Sequence, residues 1–442
     1  MGDPLYAGDI GAAVVLITLL KVVVAFAFTL VATMLMVWFE RKIIADMQHR
    51  IGPNRAGPWG LLQTLADGTK LFFKEDLLPD RASRFVFRLA PLLAVVPAFL
   101  AFSVIPLGGN FDTGDGTVSL FGHRTFMQLA DPPVGLLFFL AMSGLGVYGV
   151  MLAGWSSGSK YPLLGSVRAS AQIVSYEAAL GLSVVAVLVV SRTLSTHGIV
   201  GAQADRFFID WNLVVTGVVP AVVFLIAGTA ELNRPPFDLV EAEQELVGGF
   251  NTEYSSIRFA MFFLAEFMNT VTMSALIVTL FLGGPAGPGF GPQWLRDWIL
   301  PLFWFFLKLV LFLFTFVWFR GTLPRLRYDQ LMDLGWKVLI PLSLAWMLLL
   351  ATIRVAQEEG WPVPLAMVIA VALMLVGAGL LSLSLKASAR LRIDASADQS
   401  GHSGPWGPAG SGPSGPSGPS GSAGPGSAGP SSSADAEQEA YA

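Results

Sequence analysis

Cysteine is absent from the 442 residues of this sequence, and histidine occurs only four times. Without thiolates the chain has no disulfides and no cysteine ligands for an iron–sulfur cluster or a thiolate metal site. The sequence also has no dinucleotide-binding fingerprint. We therefore expect no bound metal, flavin, haem or iron–sulfur cluster in this chain. The histidines, none of which lies deep in an apolar run, are His49, His123, His197 and His402.

Charged residues are also scarce. They make up 13% of the chain, whereas an average soluble domain carries about 25%. Hydrophobic residues make up 54%, and the mean hydropathy is +0.63. This composition excludes a soluble globular protein, a disordered regulator and a nucleic-acid-binding protein. It predicts an all-α polytopic membrane protein.

Nine apolar runs approach the roughly 20 residues that cross the hydrocarbon core of a bilayer. They lie at 14–38, 89–105, 134–152, 169–190, 213–230, 257–282, 299–319, 338–353 and 363–385. Cytoplasmic loops carry an excess of Lys and Arg. The loops after runs one, three, five, seven and nine contain 20 of the 27 Lys and Arg residues, and the opposite loops contain five. This predicts an external N-terminus, a long cytoplasmic first loop and, if the ninth run spans, a cytoplasmic C-terminus.

The first predicted cytoplasmic loop, residues 40–79, contains a segment whose apolar and polar residues separate on a helical wheel. A helix of this kind lies at a membrane surface. It is either an interfacial anchor or one wall of a site that an amphiphile enters from the bilayer. The apolar face would carry Leu61, Leu62, Leu65, Thr69, Phe72 and Phe73, and the polar face Gln63, Asp67, Lys70 and Lys74.

The third predicted cytoplasmic loop, residues 231–258, is strongly acidic. If residues 238–250 are helical, Asp238, Glu241 and Glu245 project together, and Glu243 falls among apolar residues. Carboxyl groups that are crowded or in apolar surroundings have raised pKa values and exchange protons near neutral pH. A solvated acidic loop would have polar neighbours, so the interleaved apolar residues favour proton handling. The acidic residues of the loop are Glu231, Asp238, Glu241, Glu243, Glu245 and Glu253.

Ionisable residues also occur within the apolar runs, where a charge is costly and usually functional. Glu177 lies in the fourth run and Glu266 in the sixth, while Lys21 and Lys308 lie in the first and seventh. One interpretation is an ion pair between helices that orients them. Intramembrane carboxylates that lead away from an acidic loop favour a proton route instead. Glu40 and Glu231 end the first and fifth runs on the cytoplasmic side.

The fourth predicted cytoplasmic loop, residues 320–337, mixes arginines with acidic and aromatic residues. The excess of positive charge on the cytoplasmic side explains Arg320, Arg325 and Arg327. It does not explain Tyr328 and Asp329 beside them. A surface that docks a soluble partner would use such a mixture.

Four segments carry a family resemblance when they are taken together. They are ERKIIADMQHRIGPNRAGPWGLLQTLADGTKLFFKE, GSKYPLLGSVRASAQIVSYE, ELNRPPFDLVEAEQELVGGFNTEY and RLRYDQLMDLGWK. In this order they resemble the H subunit of bacterial proton-translocating NADH:quinone oxidoreductase. This enzyme is respiratory complex I, and the mitochondrial counterpart is subunit 1. The resemblance runs from about residue 10 to residue 355, and charge counting independently places all four segments on the cytoplasmic side.

The resemblance implies a membrane subunit at the junction with the hydrophilic arm of the enzyme, in the bacterial cytoplasmic (inner) membrane. It implies that the chain forms much of the access chamber for a quinone, either ubiquinone or menaquinone. The implied partners are hydrophilic quinone-site and iron–sulfur subunits, small membrane subunits and antiporter-like subunits. The implied proton-linked residues are Glu40, Asp67, Glu177, Glu231, Glu241, Glu243, Glu245, Glu253 and Glu266. The implied basic partners and chamber-lining residues are Arg41, Arg50, Arg168, Arg234, Arg320 and Arg325.

The C-terminal part departs from the family, which usually has eight spans. We expect a family-like membrane domain over residues 1–355, an additional span within 356–394 and a disordered Gly/Pro/Ser-rich tail over 395–442. Three other function classes stay open at this stage. They are the equivalent subunit of a membrane-bound hydrogenase or formate hydrogenlyase, a stand-alone secondary transporter and an anchor with an inert chamber.

Overall fold

The computed structural model describes residues 3–7, 11–111, 114–204, 208–240 and 246–362, with isolated positions between 364 and 379. The chain divides into two units, Met1–Leu375 and Val376–Ala442. The structural account below concerns the first unit. The predicted ninth span and the tail lie almost wholly outside the described residues. Glu241, Glu243 and Glu245 also lie outside them.

The described residues confirm an all-α polytopic membrane protein. Seven helical segments are long and apolar enough to span a bilayer, with the fifth predicted run as a shorter apolar helix. The helices are α1 Ala12–Met47, α2 Gln63–Phe73, α3 Arg84–Phe102, α4 Gly135–Ser156, α5 Lys160–Ser191, α6 Thr196–Gly201, α7 Asn212–Val215, α8 Val218–Glu231, α9 Ser256–Phe281, α10 Leu300–Thr322, α11 Tyr328–Leu334 and α12 Ile340–Glu358. Single π-helical turns precede α10 at Leu295–Ile299 and α12 at Gly335–Leu339.

The fifth run is shorter than the sequence predicts because Gly217 interrupts it. This glycine has φ +78°, a conformation that L side chains rarely adopt, and the indole of Trp346 lies where its Cβ would be. The run therefore divides into the single turn of α7 and the 14 residues of α8. As a result, Glu231 ends α8 and lies inside the helix bundle.

The core of the bundle is built on α5 and α9. Helix α5 packs against α4, α8 and α12, and α9 packs against α1, α3 and α10. Nearly every residue of the C-terminal half of α9 is buried. Large apolar side chains fill the space between these helices, including Tyr176, Phe224, Phe281 and Phe305. The helix that carries Glu266, α9, is therefore the most enclosed of the described spanning helices, and α5, which carries Glu177, is buried to the same extent as α3.

A β-hairpin lies on the predicted external side, in a loop that shows only generic turn residues in the sequence. Strands β1 Thr117–Leu120 and β2 His123–Phe126 pair antiparallel. The hairpin contacts the start of the chain, where Thr125 Oγ1 donates to the Asp3 carboxylate at 2.9 Å. Lys21 Nζ donates to the same carboxylate at 2.7 Å. Lys21 is therefore part of an ion pair with the N-terminal segment and not with a glutamate of another helix.

Candidate functional site

An entrance cavity of about 810 Å³ lies between α1, α2 and α9. Its walls are residues 30–41 of α1, 64–73 of α2 and 259–264 of α9, and most of the lining side chains are apolar. Helix α2 confirms the amphipathic helix that the sequence predicts, and none of its residues is buried. Phe72 and Phe73 are 67% and 82% exposed. Such exposure fits a helix whose apolar face lies in lipid.

Charged side chains close the cytoplasmic end of the entrance cavity. Arg41 Nη1 contacts Asp67 Oδ2 at 2.6 Å and so joins α1 to α2. Lys70 lies 3.9 Å from the other oxygen of the same carboxylate. Thr64 Oγ1 adds a second link by donating to the Met34 carbonyl at 3.2 Å. The cavity thus combines an apolar channel with a polar end, as an amphiphile with a polar head would require.

A buried carboxylate network begins one residue before Arg41. Glu40, which is 4% exposed, accepts from Arg234 Nη1 at 2.7 Å and also pairs with Arg320. Arg234 Nε lies 3.2 Å from Glu266 Oε1, and its guanidinium stacks 4.3 Å from the centre of the Phe267 ring. The positive partners offset the unfavourable burial of the carboxylates. Three residues far apart in the sequence, Glu40, Arg234 and Glu266, therefore form one ion network.

Gln172 positions the segment that carries Arg234. Its Nε2 lies within hydrogen-bond distance of the Ala230 carbonyl, the Phe237 carbonyl and Asn233 Oδ1, at 2.8, 3.0 and 3.1 Å. Gln172 is fully buried in α5, so it fixes the irregular chain between Glu231 and Phe237 against that helix. Residues 238–240 are not helical. The helix considered for residues 238–250 therefore does not begin at Asp238.

An inner cavity of about 100 Å³ lies beyond the network, among α3, α4, α5, α8 and α9. Its polar lining residues are Ser143, Glu231, Asn233, Glu266, Asn269 and Thr272. Ser143 Oγ donates to Glu231 Oε1. The volume holds a few water molecules, and each would find several polar partners. Glu266 is thus shared by the carboxylate network and the inner cavity.

Glu177 of α5 interacts with a residue that lines the inner cavity. Its carboxylate interacts electrostatically with Glu231. A Cβ at Gly144, the neighbour of Ser143, would lie 3.2 Å from Glu177 Oε1. The absence of a side chain at Gly144 lets α4 approach the carboxyl group of α5 closely. Carboxyl groups therefore follow one another from Glu40 through Glu266 and Glu231 to Glu177.

The other predicted site residues lie outside this sequence of contacts. The Arg168 guanidinium lies 5.9 Å from the centre of the Tyr328 ring. Arg50 and Arg325 are exposed in loops that the sequence predicts to be cytoplasmic, and Glu253 is half-buried in the loop before α9. The functional roles of these four residues stay predictions.

Tyr254 lies near these residues, outside the spanning helices. Its ring stacks on Phe87 with centroids 4.0 Å apart, and its hydroxyl donates to the Phe87 carbonyl at 3.2 Å. Burial raises the pKa of Tyr254 to about 12. The phenol therefore stays protonated at any physiological pH and acts as a hydrogen-bond donor.

Sequence reasoning missed three polar residues of the site. Ser143, Gln172 and Asn269 lie within apolar runs and belong to no acidic cluster. An uncharged polar residue in a spanning helix is common, because its hydroxyl or amide can bond to the backbone of its own helix. The sequence does carry one signal for Asn269, which lies three residues after Glu266 and therefore on the same face of one helix. Within the described residues, no group of three or more metal-ligating side chains converges.

Comparison with known proteins identifies the family. The family model described as "NADH dehydrogenase" matches residues 20–351. A Frankia alni protein, named as the H subunit of NADH-quinone oxidoreductase, is 58% identical over 345 residues, which are 77% of this chain and 73% of that protein. The protein of the same name from Frankia casuarinae is 57% identical over 343 residues, 77% of this chain and 73% of its own length.

A third relative lies in another genus. The protein of the same name from Streptomyces avermitilis is 50% identical over 353 residues, which are 78% of this chain and 75% of that protein. The matched region contains both cavities, the carboxylate network and most of the length of the spanning helices among the described residues. The resemblance that the four cytoplasmic segments carry is therefore confirmed over most of the chain. This chain belongs to the NADH dehydrogenase family, together with the proteins named as the H subunit of NADH-quinone oxidoreductase.

Proposed function

We propose that this chain is the membrane subunit of a proton-translocating NADH:quinone oxidoreductase that admits the quinone and links its reduction to proton movement. The observation that carries this proposal is the entrance cavity between α1, α2 and α9, whose charged end adjoins the Glu40–Arg234–Glu266 network. The names of the relatives point to the same enzyme. They favour it over a hydrogenase-type complex or a stand-alone transporter.

The shape of the entrance cavity suits a quinone with an isoprenoid tail. Transfer of an apolar tail from the bilayer into a cavity is unfavourable unless the walls of the cavity are also apolar. Residues such as Leu71, Phe72 and Phe263 provide these walls. The quinone head is polar, and Arg41 with Asp67 provides polar partners at the cytoplasmic end. The head would pass this pair on its way to the hydrophilic subunits.

The carboxylate network supports the link to protons. Reduction of a quinone to a quinol takes two electrons and two protons. Because the chain has no cysteine, we expect the electrons to come from an iron–sulfur protein of the complex. Uptake of two protons by the reduced quinone changes the net charge near Arg41 and Glu40. The ion pairs of Arg234 rearrange in response. Glu266, Glu231 and Glu177 then pass the change into the membrane through the inner cavity.

The acidic loop would extend this route towards the hydrophilic arm. We propose proton-linked roles for Glu241, Glu243, Glu245 and Glu253 on the basis of the loop composition. We propose the same role for Asp67 of α2 because its carboxylate pairs with Arg41 at the charged end of the entrance cavity. The exposed Arg50 and Arg325 and the half-buried Arg168 would contact the hydrophilic subunits. In this arrangement the chain is a multi-pass protein of the bacterial cytoplasmic membrane, with an external N-terminus and a cytoplasmic C-terminus.

A photoreactive quinone with a long isoprenoid tail tests the proposed entrance. We expect it to label peptides from residues 30–41, 64–73 and 259–264 in membranes that contain the whole complex. An excess of ordinary quinone should abolish this labelling. Labelling of the exposed Leu16, Leu19 and Val23 of α1 provides the control, since these side chains lie on the same helix but do not line the cavity. Labelling confined to that control region would contradict the proposal.

Proton pumping by carboxyl variants tests the coupling role. Glu177→Gln and Glu245→Gln should lower the number of protons moved per quinone reduced, while the complex still assembles. Asp80→Asn, at an exposed position of the first cytoplasmic loop, removes one carboxylate without touching the route and should pump normally. Full pumping by both glutamine variants in assembled complexes would exclude the coupling role.

A further inference from the structure

The first turn of α9 holds the C-terminal end of α2. Ser256 Oγ lies 3.1 Å from the Leu71 carbonyl and 2.8 Å from the Lys74 carbonyl, so its single proton is donated to one or shared by both. The last carbonyls of a helix have no partner within that helix and need one from elsewhere. Here another helix provides it, from a residue that is only 3% exposed.

The neighbouring residues of α9 add two more links. The Leu77 amide donates to Ser255 Oγ at 2.8 Å. Arg258 Nη2 contacts Asp76 Oδ2 at 2.8 Å, and the guanidinium lies over the Phe87 ring at 5.5 Å from its centre. We call Ser255, Ser256 and Arg258, with their partners at residues 71–77, the α2 clamp.

Helix α2 depends on this clamp more than an ordinary helix would. None of its side chains is buried, so hydrophobic packing contributes little to its position. Its N-terminal half is tied to α1 by Thr64 and Asp67, and its C-terminal end is tied only to the clamp among the contacts found in the described residues. Loss of the clamp would release that end of the helix.

The clamp also controls the spacing between two walls of the entrance cavity. Phe259, Ala260 and Phe263 line the cavity opposite α2, and Ser256 lies one turn before Phe259 on α9. Glu266 lies ten residues further along the same helix, about 15 Å from Ser256 at the rise of an α-helix. The loop that ends at the clamp is the acidic loop. One rigid helix thus connects the cavity wall, the network and the acidic loop.

We propose that Ser256, Arg258 and Asp76 are positioning residues that set the aperture of the entrance cavity for the isoprenoid tail of the substrate. The proposal rests on the proposed quinone entrance and identifies the residues that hold one of its walls. If the C-terminal end of α2 were released, the cavity would have the conformation that admits the tail for only part of the time. The apparent affinity for a long-tailed quinone falls in proportion to that fraction.

The experiment compares quinones of different tail length in the whole complex. In Asp76→Asn and Ser256→Ala we expect the KM for a long-tailed quinone to rise about 3- to 10-fold, the effect of losing one or two hydrogen bonds or an ion pair. The kcat should stay the same. The KM for a short-tailed analogue should also stay the same, because its tail does not occupy the cavity. A general folding defect would instead lower activity with both substrates.

Two control variants make the result specific. Asp76→Glu keeps the charge and should retain the KM of the parent protein. Asp80→Asn removes a carboxylate from an exposed position four residues further along and should also leave the KM unchanged. If Ser256→Ala does not assemble, Asp76→Asn alone decides the question, since Asp76 lies near the surface with its side chain 37% exposed.

The outcomes separate the clamp from the entrance. If the photoreactive quinone labels the cavity of the parent protein but Asp76→Asn leaves the long-tail KM unchanged, the clamp proposal is wrong and the entrance proposal stands. If Asp76→Asn raises the KM for both tail lengths equally, the clamp has no effect on tail entry. If the cavity is not labelled in the parent protein, the proposed entrance fails first, and the clamp proposal fails with it.

Discussion

Arg234 joins the two glutamates of the carboxylate network, Glu40 and Glu266. It contacts Glu40 at the end of α1 and Glu266 in α9, and only 4% of its surface is exposed. A buried ion pair adds little net stability, but the removal of one partner leaves an uncompensated charge in a medium of low dielectric constant. The network is therefore sensitive to single substitutions and tolerant of paired ones.

Arg234→Met should destabilise the protein by about 3–5 kcal/mol, because Glu40 and Glu266 then lose their shared partner. Adding Glu266→Gln should restore part of that loss, since it removes one of the two carboxylate charges that Arg234 balances, whereas Glu40 keeps its ion pair with Arg320. Thermal unfolding of the purified complex, followed on this chain, measures both effects. Arg325→Met is the matched control at an exposed position and should have little effect. A double variant no more stable than Arg234→Met would show that the pair is not coupled in this way.

His197 is a second residue whose surroundings determine its behaviour. Its ring stacks on Phe126 with centroids 3.7 Å apart, and Nε2 lies 3.0 Å from the Asp115 carbonyl. Burial lowers the pKa of His197, although the Asp115 carbonyl and the carboxylates of Asp131 and Asp3 act in the opposite direction. Docking of the hairpin therefore favours the neutral form of His197.

Docking of the hairpin should weaken as the pH falls through about 6.5, the ordinary pKa of histidine. His197 has the higher pKa when the hairpin is released, so the released state binds more protons around this pH. A lower pH therefore favours release. Hydrogen exchange of residues 117–126, corrected for the intrinsic rate and compared at pH 7.5 and 5.5, measures this effect. His197→Phe keeps the ring and should remove most of the pH dependence, whereas His123→Phe in the exposed turn should keep it.

The outcome that contradicts this prediction is equal protection of the hairpin at both pH values in the parent protein. A pH dependence of the opposite sign in His197→Phe, with stronger protection at the lower pH, would point to Asp131, whose pKa is raised by burial. Asp131 titrates in the opposite sense, because its docked form binds the proton more readily than the released form.

Helix ends are the features that matter most at the scale of single elements. The C-terminal end of α2 is held by Ser256, and the C-terminal end of α9 is held by Lys308 of α10. Lys308 Nζ donates to the carbonyls of Leu282, Gly284 and Ala286 at 2.7, 3.0 and 2.7 Å. It also lies 4.7 Å from the centre of the Trp211 ring. The partners of this intramembrane lysine are thus backbone carbonyls, and its role is structural.

Lys308→Met should loosen the turn that follows α9. Each carbonyl left without a donor costs about 1–3 kcal/mol, and part of this is offset because an ammonium group is no longer buried. Hydrogen exchange over residues 278–286 should rise, while the number of protons pumped per quinone stays unchanged. Leu307→Met, on the exposed side of the same helix, should change neither. A fall in the pumping ratio would instead assign Lys308 to the proton route.

In the described part of the chain, most of the charged groups lie at one end of the helix bundle. The Glu40 network, the charged end of the entrance cavity and the α2 clamp all lie at the end that carries most of the Lys and Arg. The hairpin and the Asp3–Lys21 pair lie at the opposite end. Which of the two ends faces the cytoplasm stays a prediction from the charge distribution.

Labelling of single cysteines should confirm the orientation, and the absence of native cysteine makes the chain a clean background. Ser119→Cys in the hairpin should react with a membrane-impermeant maleimide in intact cells. Arg325→Cys should react only in inverted vesicles, since the loop before α11 is predicted to be cytoplasmic. Both positions are exposed. The reverse pattern would show that the charge-based orientation is wrong.

The candidate site was predictable from the sequence only in part. The amphipathic helix over residues 63–73 was predictable because the period of its apolar residues is local. Glu177 and Glu266 stood out because a carboxylate in an apolar run is rare. Ser143 and Gln172 did not, because a hydroxyl or amide in such a run has many ordinary explanations. The hairpin also escaped prediction, since its strands have only four residues each.

The sequence by itself determined the class of the protein, the seven long spanning helices found among the described residues and the loops in which the charged residues gather. Each of these follows from the composition of a continuous stretch and from the cost of placing charge in a bilayer. Only the tertiary structure decided that Glu40 meets Arg234, 194 residues away, and that Ser256 meets Lys74, 182 residues away. Contacts over such separations depend on how the helices pack, and no local pattern of residues encodes that packing.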